Sequence, residues 1–171
     1  MEYQVTKSQY ISSHCFVCGT DNECSLGAQF LETDTGELVG VFHAHEGHQS
    51  YPGRVHGGVS AAMLDEIMGR AINVTEPDAW SVTAELNTRY RKPLPYDKPV
   101  TARARVTKNS SRVYEASGEI VLEDGTVAVE ATGRYVKLPL ESIAPEGFDV
   151  DGESAIYEDT RPLPSTIALG D

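Results

Sequence analysis

One stretch constrains the fold of this chain more than any other: from Gly57 or Gly58 to about Asn73 the pattern is helical, and that helix is apolar almost all round. Ala61, Leu64, Met68, Ala71 and Ile72 form one stripe at helical spacing, while Ala62, Met63 and Ile67 spread apolar surface beyond it. Such a helix is stable only when other elements cover most of its circumference. The rest of the chain supplies strands. Residues 26–31 and 37–44 flank the turn Thr33-Asp34-Thr35-Gly36, and after the helix residues 82–91, 100–107, 113–122 and 126–138 read as four more. The break at Pro93-Leu94-Pro95 ends the first of these, and Asp124-Gly125 signals a hairpin between the last two. This order predicts an α+β architecture: a curved antiparallel sheet of about five to six strands wrapped around one long central helix.

At 171 residues, with 40% hydrophobic and 23% charged content, the chain suits one globular domain. We place it at residues 26–138, after an irregular lead-in over residues 1–25 and before an acidic, proline-containing tail over residues 139–171, on the surface or disordered. No apolar run approaches the roughly 18 residues of a membrane span. Met1-Glu2-Tyr3-Gln4 does not begin like a secretory leader, so the expectation is a cytoplasmic protein without a membrane partner. Cys15, Cys18 and Cys24, an odd set near the N-terminus, fit reduced thiols better than a disulfide framework. Cys15-Phe16-Val17-Cys18 has the spacing of half a zinc site but no second pair follows, and His43, His45 and His48 lack companion ligands, so no metal is expected.

The formal net charge of −12 is unevenly spread. Residues 138–171 carry −7, whereas residues 89–112 carry +7 through Arg89, Arg91, Lys92, Lys98, Arg103, Arg105, Lys108 and Arg112. A short basic band on an acidic protein suits a compact anionic ligand and argues against nucleic acid. Taken singly, most of these cations fit equally well on the solvated faces of amphipathic strands.

The chemical signal lies at the start of the apolar helix, Val55-His56-Gly57-Gly58. A first helical turn leaves N–H groups unpaired and carries the positive end of the macrodipole, so it suits a carbonyl oxygen gaining negative charge. Gly57 and Gly58 allow that oxygen close to the backbone. Further along the helix, Asp65 shares a side with Ala61, Met68 and Ile72, an unusual setting for a carboxylate and one that suits a base or nucleophile. Glu66 has Arg70 four residues later and reads as helix surface pairing. His56 reads as a capping or packing residue more than a base. The spacings of a phosphate loop, a dinucleotide loop and a serine-hydrolase elbow are absent.

These residues resemble the hotdog-fold acyl-CoA thioesterases of the 4-hydroxybenzoyl-CoA and phenylacetate-pathway type. The resemblance rests on Tyr51-Pro52-Gly53-Arg54-Val55-His56-Gly57-Gly58, on Met63-Leu64-Asp65-Glu66 and on Val82-Thr83-Ala84-Glu85-Leu86-Asn87-Thr88-Arg89-Tyr90. It implies a homodimer or dimer of dimers with sites between subunits, needing no cofactor. It also implies a Gly57 N–H polarising the thioester carbonyl, Asp65 activating water or attacking directly, and Thr83 positioning the water or the acid. Such proteins often carry Asn or Gln seven residues before the glycine matching Gly57; here Ser50 stands there, with Gln49 beside it. Arg89, Arg91, Lys92 and, behind them, Arg112 become candidates for the phosphates of coenzyme A. Two other activities on such a fold are a non-catalytic acyl-CoA binder, favoured by Ser50, and a hydratase or dehydratase using His56 with Asp65.

Overall fold

The computed structural model describes residues 2–144 and 156–170. In chain order the elements are β1 (Glu2–Ser8), β2 (Ile11–Ser12), β3 (Gln29–Thr33), β4 (Leu38–Phe42), α1 (Gly57–Arg70), β5 (Ser81–Tyr90), β6 (Val100–Asn109), β7 (Val113–Val121), β8 (Val127–Lys137), α2 (Leu140–Ile143), β9 (Ile156–Tyr157) and β10 (Thr166–Ala168). All six expected strands and the helix are among them. His56 caps α1, which ends in a tight helical turn over Ala71–Val74 ahead of Pro77. The hairpin expected at Asp124-Gly125 forms, with Gly125 at φ 79°, a conformation that a side chain would strain.

Eight strands make one antiparallel sheet in the order β10-β1-β3-β4-β6-β7-β8-β5, and β2 pairs separately with β9. The two strands beyond the expected number come from the chain's outer segments. Over Glu2–Ser8 the lead-in is not irregular: Val5 pairs with Thr33, and Tyr3 is buried in a small cluster with Val39 and Leu169. The tail likewise returns to the sheet, Tyr3 lying opposite Ile167. Side-chain ties order this aperiodic segment. Arg161, the one arginine after Leu138, donates to the carbonyls of Gly27 and Ala28 and to both carboxylate oxygens of Asp159. The expectation of surface or disordered chain over residues 145–155 lies outside the described residues.

The helix lies across the sheet with Met63, Leu64, Ile67 and Met68 fully buried. Beneath it the strands turn small residues inward, among them Ala102, Ala116 and Gly118. A Cβ at Gly118 would come within 2.9 Å of Met68 Cγ and 3.2 Å of Leu64 Cδ2, so the helix seats this deeply only over glycine. Coverage is uneven across the sheet. Among the described residues the edge strand β5 pairs only with β8, and most of its residues, Val82, Thr83 and Tyr90 included, are exposed.

Candidate active site

Asp65 lies mid-helix, where α1 passes β5 and β8. Thr83 Oγ1 donates to Asp65 Oδ1 at 2.9 Å. The Tyr135 hydroxyl stands 3.2 Å from the same Oδ1 and 3.1 Å from the Asp65 main-chain oxygen, so its single proton is shared between them. Both donors therefore hold one carboxylate oxygen, and Oδ2 has no hydrogen-bond partner among the described residues. Burial, and after it the charge of Asp65, drives the Tyr135 hydroxyl far above its usual range, so it stays a donor at any physiological pH.

Tyr135 stacks on Tyr114, its register partner on β7, with ring centroids 5.0 Å apart and planes 13° from parallel. Tyr114 donates to the Gly69 carbonyl at 2.6 Å, one turn beyond Asp65, and burial pushes its hydroxyl up to about 12. The stacked pair thus fixes successive turns of α1 to the sheet and sets the height at which Asp65 meets Thr83. Neither tyrosine was expected from the sequence. Each alternates with small residues on its strand, Ala116 and Gly118 or Gly133 and Ala131, which marks an inward face and was the available signal. A cavity of about 430 Å³ opens here, with Cys15, Arg70 and Trp80 in its wall beside Asp65, Thr83 and Tyr135.

The other predicted residues gather at the start of α1. His56 Nδ1 accepts from the Gly58 N–H at 2.9 Å, while Val59 and Ser60 donate to the His56 carbonyl. The Gly57 N–H is left without an acceptor among the described residues. His56 is thus a cap, and its Nδ1 is occupied in that role. Gln49 pairs with Val55, and the His48 carbonyl accepts from His56, which sets Gln49 and Ser50 beside this turn. Ser50 donates its N–H to the Arg54 carbonyl, and the Gln49 amide oxygen accepts from the Tyr96 hydroxyl at 3.3 Å.

Gly57 and Asp65 do not meet within one chain. Eight residues at 1.5 Å rise separate them by about 12 Å along the helix axis, far more than the roughly 3 Å over which a base, water and a polarised carbonyl act together.

The basic band separates as well. Tyr90 donates to the Gly57 carbonyl at 2.7 Å, so Arg89, Arg91 and Lys92 flank the helix start, whereas Arg112 lies at the opposite end of the ladder, where Ser81 pairs with Lys137. The four cations are therefore not one patch. Arg91 is engaged by Glu130, Lys98 by Glu123, Arg103 by Glu119 and Arg105 by Glu37, as the solvated-strand reading expects. Arg89 and Lys92 make no ion pair among the described residues.

Of the remaining candidates, Glu66 and Arg70 do pair, at 2.6 Å, but Arg70 also donates to the Tyr10 carbonyl and lies over the Phe30 ring. It is a tie between helix and lead-in as well as a surface partner. Two of the histidines are structural: His45 Nδ1 accepts from Gly47, and His48 bonds the His45 N–H through Nδ1 and the Cys24 carbonyl through Nε2.

Residues 52–129, which include Gly57, Asp65 and Thr83, match the thioesterase superfamily. Over that span the chain is similar to members of that superfamily. It is 30% identical over 141 residues to acyl-coenzyme A thioesterase THEM4 of Mus musculus, a match covering 82% of this chain and 58% of that protein. The chain thus spans about half the length of the curated relatives it matches first. Among solved structures, the thioesterase superfamily protein RHA08564 superposes with a TM-score of 0.66 at 32% identity, over 72% of this chain and 60% of that one. The BH2602 protein of Bacillus halodurans, solved with CoA, gives 0.57 at 26% identity, over 64% of this chain and 73% of that one. The chain has the hotdog fold of these neighbours, one long helix against a large antiparallel sheet. Among its described residues, no helix is long and apolar enough to cross a membrane.

Proposed function

We propose that this protein hydrolyses acyl-CoA thioesters at a site shared between two copies of the chain, Gly57 from one and Asp65 from the other. The observation that carries the reading is the carboxylate of Asp65, held through Oδ1 by Thr83 and Tyr135 with Oδ2 uncommitted, on the wall of a cavity. Water adds to the carbonyl, the carbon–sulfur bond breaks, and the CoA thiolate leaves and is protonated. The uncommitted Oδ2 either takes the proton of the attacking water or attacks the carbonyl itself. The Gly57 N–H and the positive end of α1 bear the charge that develops on the carbonyl oxygen.

The 12 Å gap along α1 supports a shared site, because only a second copy brings a Gly57 N–H to Asp65. The exposed edge of β5 supports the same assembly: among the described residues no strand pairs with its outer side, which leaves a ten-residue edge open to a second sheet. Arg89 and Lys92, beside the helix start and without an ion pair among the described residues, are the cations best placed for the phosphates of coenzyme A. Asp65→Asn, assayed for thiol release on short, long and aromatic acyl-CoAs, should lower kcat/KM by about 10²- to 10⁴-fold with the fold intact. Retained activity overturns the assignment. Ser50, in the position of an amide donor, favours a second reading as an acyl-CoA binder; calorimetric CoA binding with no thiol release from any of these substrates decides for it.

A further inference from the structure

The Asp65 cavity has a second reactive wall. Cys15, half-buried, lines it, and its Sγ accepts the N–H groups of Val17 at 3.3 Å and Cys18 at 3.4 Å. The Sγ atoms of Cys15 and Cys18 and a carboxylate oxygen of Glu66 all lie within 4.8 Å of one another. Arg70 spans the group, donating Nη2 to Cys18 Sγ at 3.3 Å and Nε to Glu66 at 2.6 Å. The hydrogen bond from the Cys18 thiol, aided by the two backbone N–H groups, lowers Cys15 to about 6 against the opposing effect of burial. The same bond, together with burial, pushes Cys18 up. A thiolate on the cavity wall, backed by a buried protonated thiol two residues beyond Phe16, is the arrangement of an attacking and a resolving cysteine. A divalent cation is the rival occupant of Cys15, Cys18 and Glu66. Arg70 already supplies positive charge to two of those three groups, and a metal ion would have to displace it.

We propose that Cys15 is a thiol–disulfide exchange site that takes low-molecular-weight disulfides from the Asp65 cavity, with Cys18 as its resolving thiol. In the first step the Cys15 thiolate attacks one sulfur of a disulfide R–S–S–R, forming Cys15–S–S–R and releasing RS⁻. In the second, Cys18 sulfur attacks Cys15 sulfur, the second RS⁻ leaves, and the proton that Cys18 gives up goes to a released thiolate. The disulfide gains two electrons and the cysteine pair loses two. Arg70, 3.3 Å from Cys18 Sγ, stabilises the thiolate that the second step requires.

The test uses the full-length chain with Cys24→Ser, which removes the exposed third thiol, and dithiodipyridine as the disulfide. Intact-mass and peptide analysis should give a Cys15–Cys18 bridge with two equivalents of thiopyridone released. Cys18→Ser in that background should stop at one equivalent, with the adduct on Cys15. At pH 6 the first step should outrun a simple alkyl thiol by on the order of tenfold, the gain in thiolate fraction being offset in part by its lower nucleophilicity. The bridge is read in the chain with both cysteines present, so the outcome stands even where Cys18→Ser fails to fold. Three results overturn the proposal: first-step reactivity no greater than the simple thiol, an adduct on Cys18 in preference to Cys15, or a stoichiometric zinc ion that shields both thiols. None of these readouts requires thioester hydrolysis, so they stand or fall apart from the Asp65 assignment.

Discussion

The two working stretches of α1 are built on opposite principles. At its start the backbone is left open: His56 takes one N–H, and the neighbouring Gly57 N–H has no acceptor among the described residues. Further along the helix the carboxylate is held in place, with Thr83 and Tyr135 on one oxygen of Asp65 and Tyr114 on the next turn. An open donor waits for charge that a ligand brings, whereas a fixed acceptor must already stand in the right place. The difference explains why the first needs only glycine and a cap, while the second needs three strands, two of them carrying a buried aromatic pair.

The strongest challenge to this contrast is Gly57→Pro. Gly57 is the first residue of the helix, where proline is tolerated; His56 is already extended at φ −62° and ψ 138°, and a Cβ at Gly57 meets nothing nearer than 3.5 Å. The substitution removes the N–H with little else, and thiol release should fall by about 10²- to 10³-fold at near-constant Tm. Mixing refolded Gly57→Pro and Asp65→Asn chains should then restore about a quarter of wild-type activity, since half the dimers are mixed and each holds one intact site. No recovery on mixing breaks the shared-site reading.

Alkali should test the Asp65 turn next. Tyr114 has an ordinary value of 10.0 raised to about 12, so it binds its proton more tightly folded than unfolded. Its contribution is fully present below pH 10 and is lost as pH rises toward 12, costing roughly 2–3 kcal/mol over that window. Denaturant melts of Tyr114→Phe should show a shallower loss across the same range. Tyr135→Phe keeps the stack and removes one donor, and should cost about 1 kcal/mol in stability and roughly tenfold in kcat. The smallest effect belongs to the helix start: His56→Ala loses a cap, at most about 1 kcal/mol by thermal unfolding, with kcat/KM nearly unchanged.

The sequence carried the interior of the fold because alternation and helical period are local properties. Val100, Ala102 and Ala104 declare a strand without reference to anything else, and Asp65 stands out against Ala61, Met68 and Ile72 in the same way. Thr83 was legible through the family pattern, and it does reach Asp65. What escaped depends on pairings between distant segments. Glu2–Ser8 becomes a strand through partners at both ends of the chain, and Arg161 fixes the tail by reaching residues 27 and 28. Tyr135 lies 70 positions from Asp65, and no spacing rule connects them. The basic band failed as a single patch for a related reason: proximity along residues 89–112 spans a strand and two turns, and the ladder carries its ends apart.

The two rims of the sheet differ in length, and this sets where growth would have to stop. On one side β5 presents ten residues; on the other β10 presents only three, Thr166–Ala168. Joining two copies along β5 would use up both long rims and leave two short stubs facing outward. Stubs of that size make poor templates for a further chain, so association through the sheet would be finite, a closed pair with no tendency to extend into a fibre.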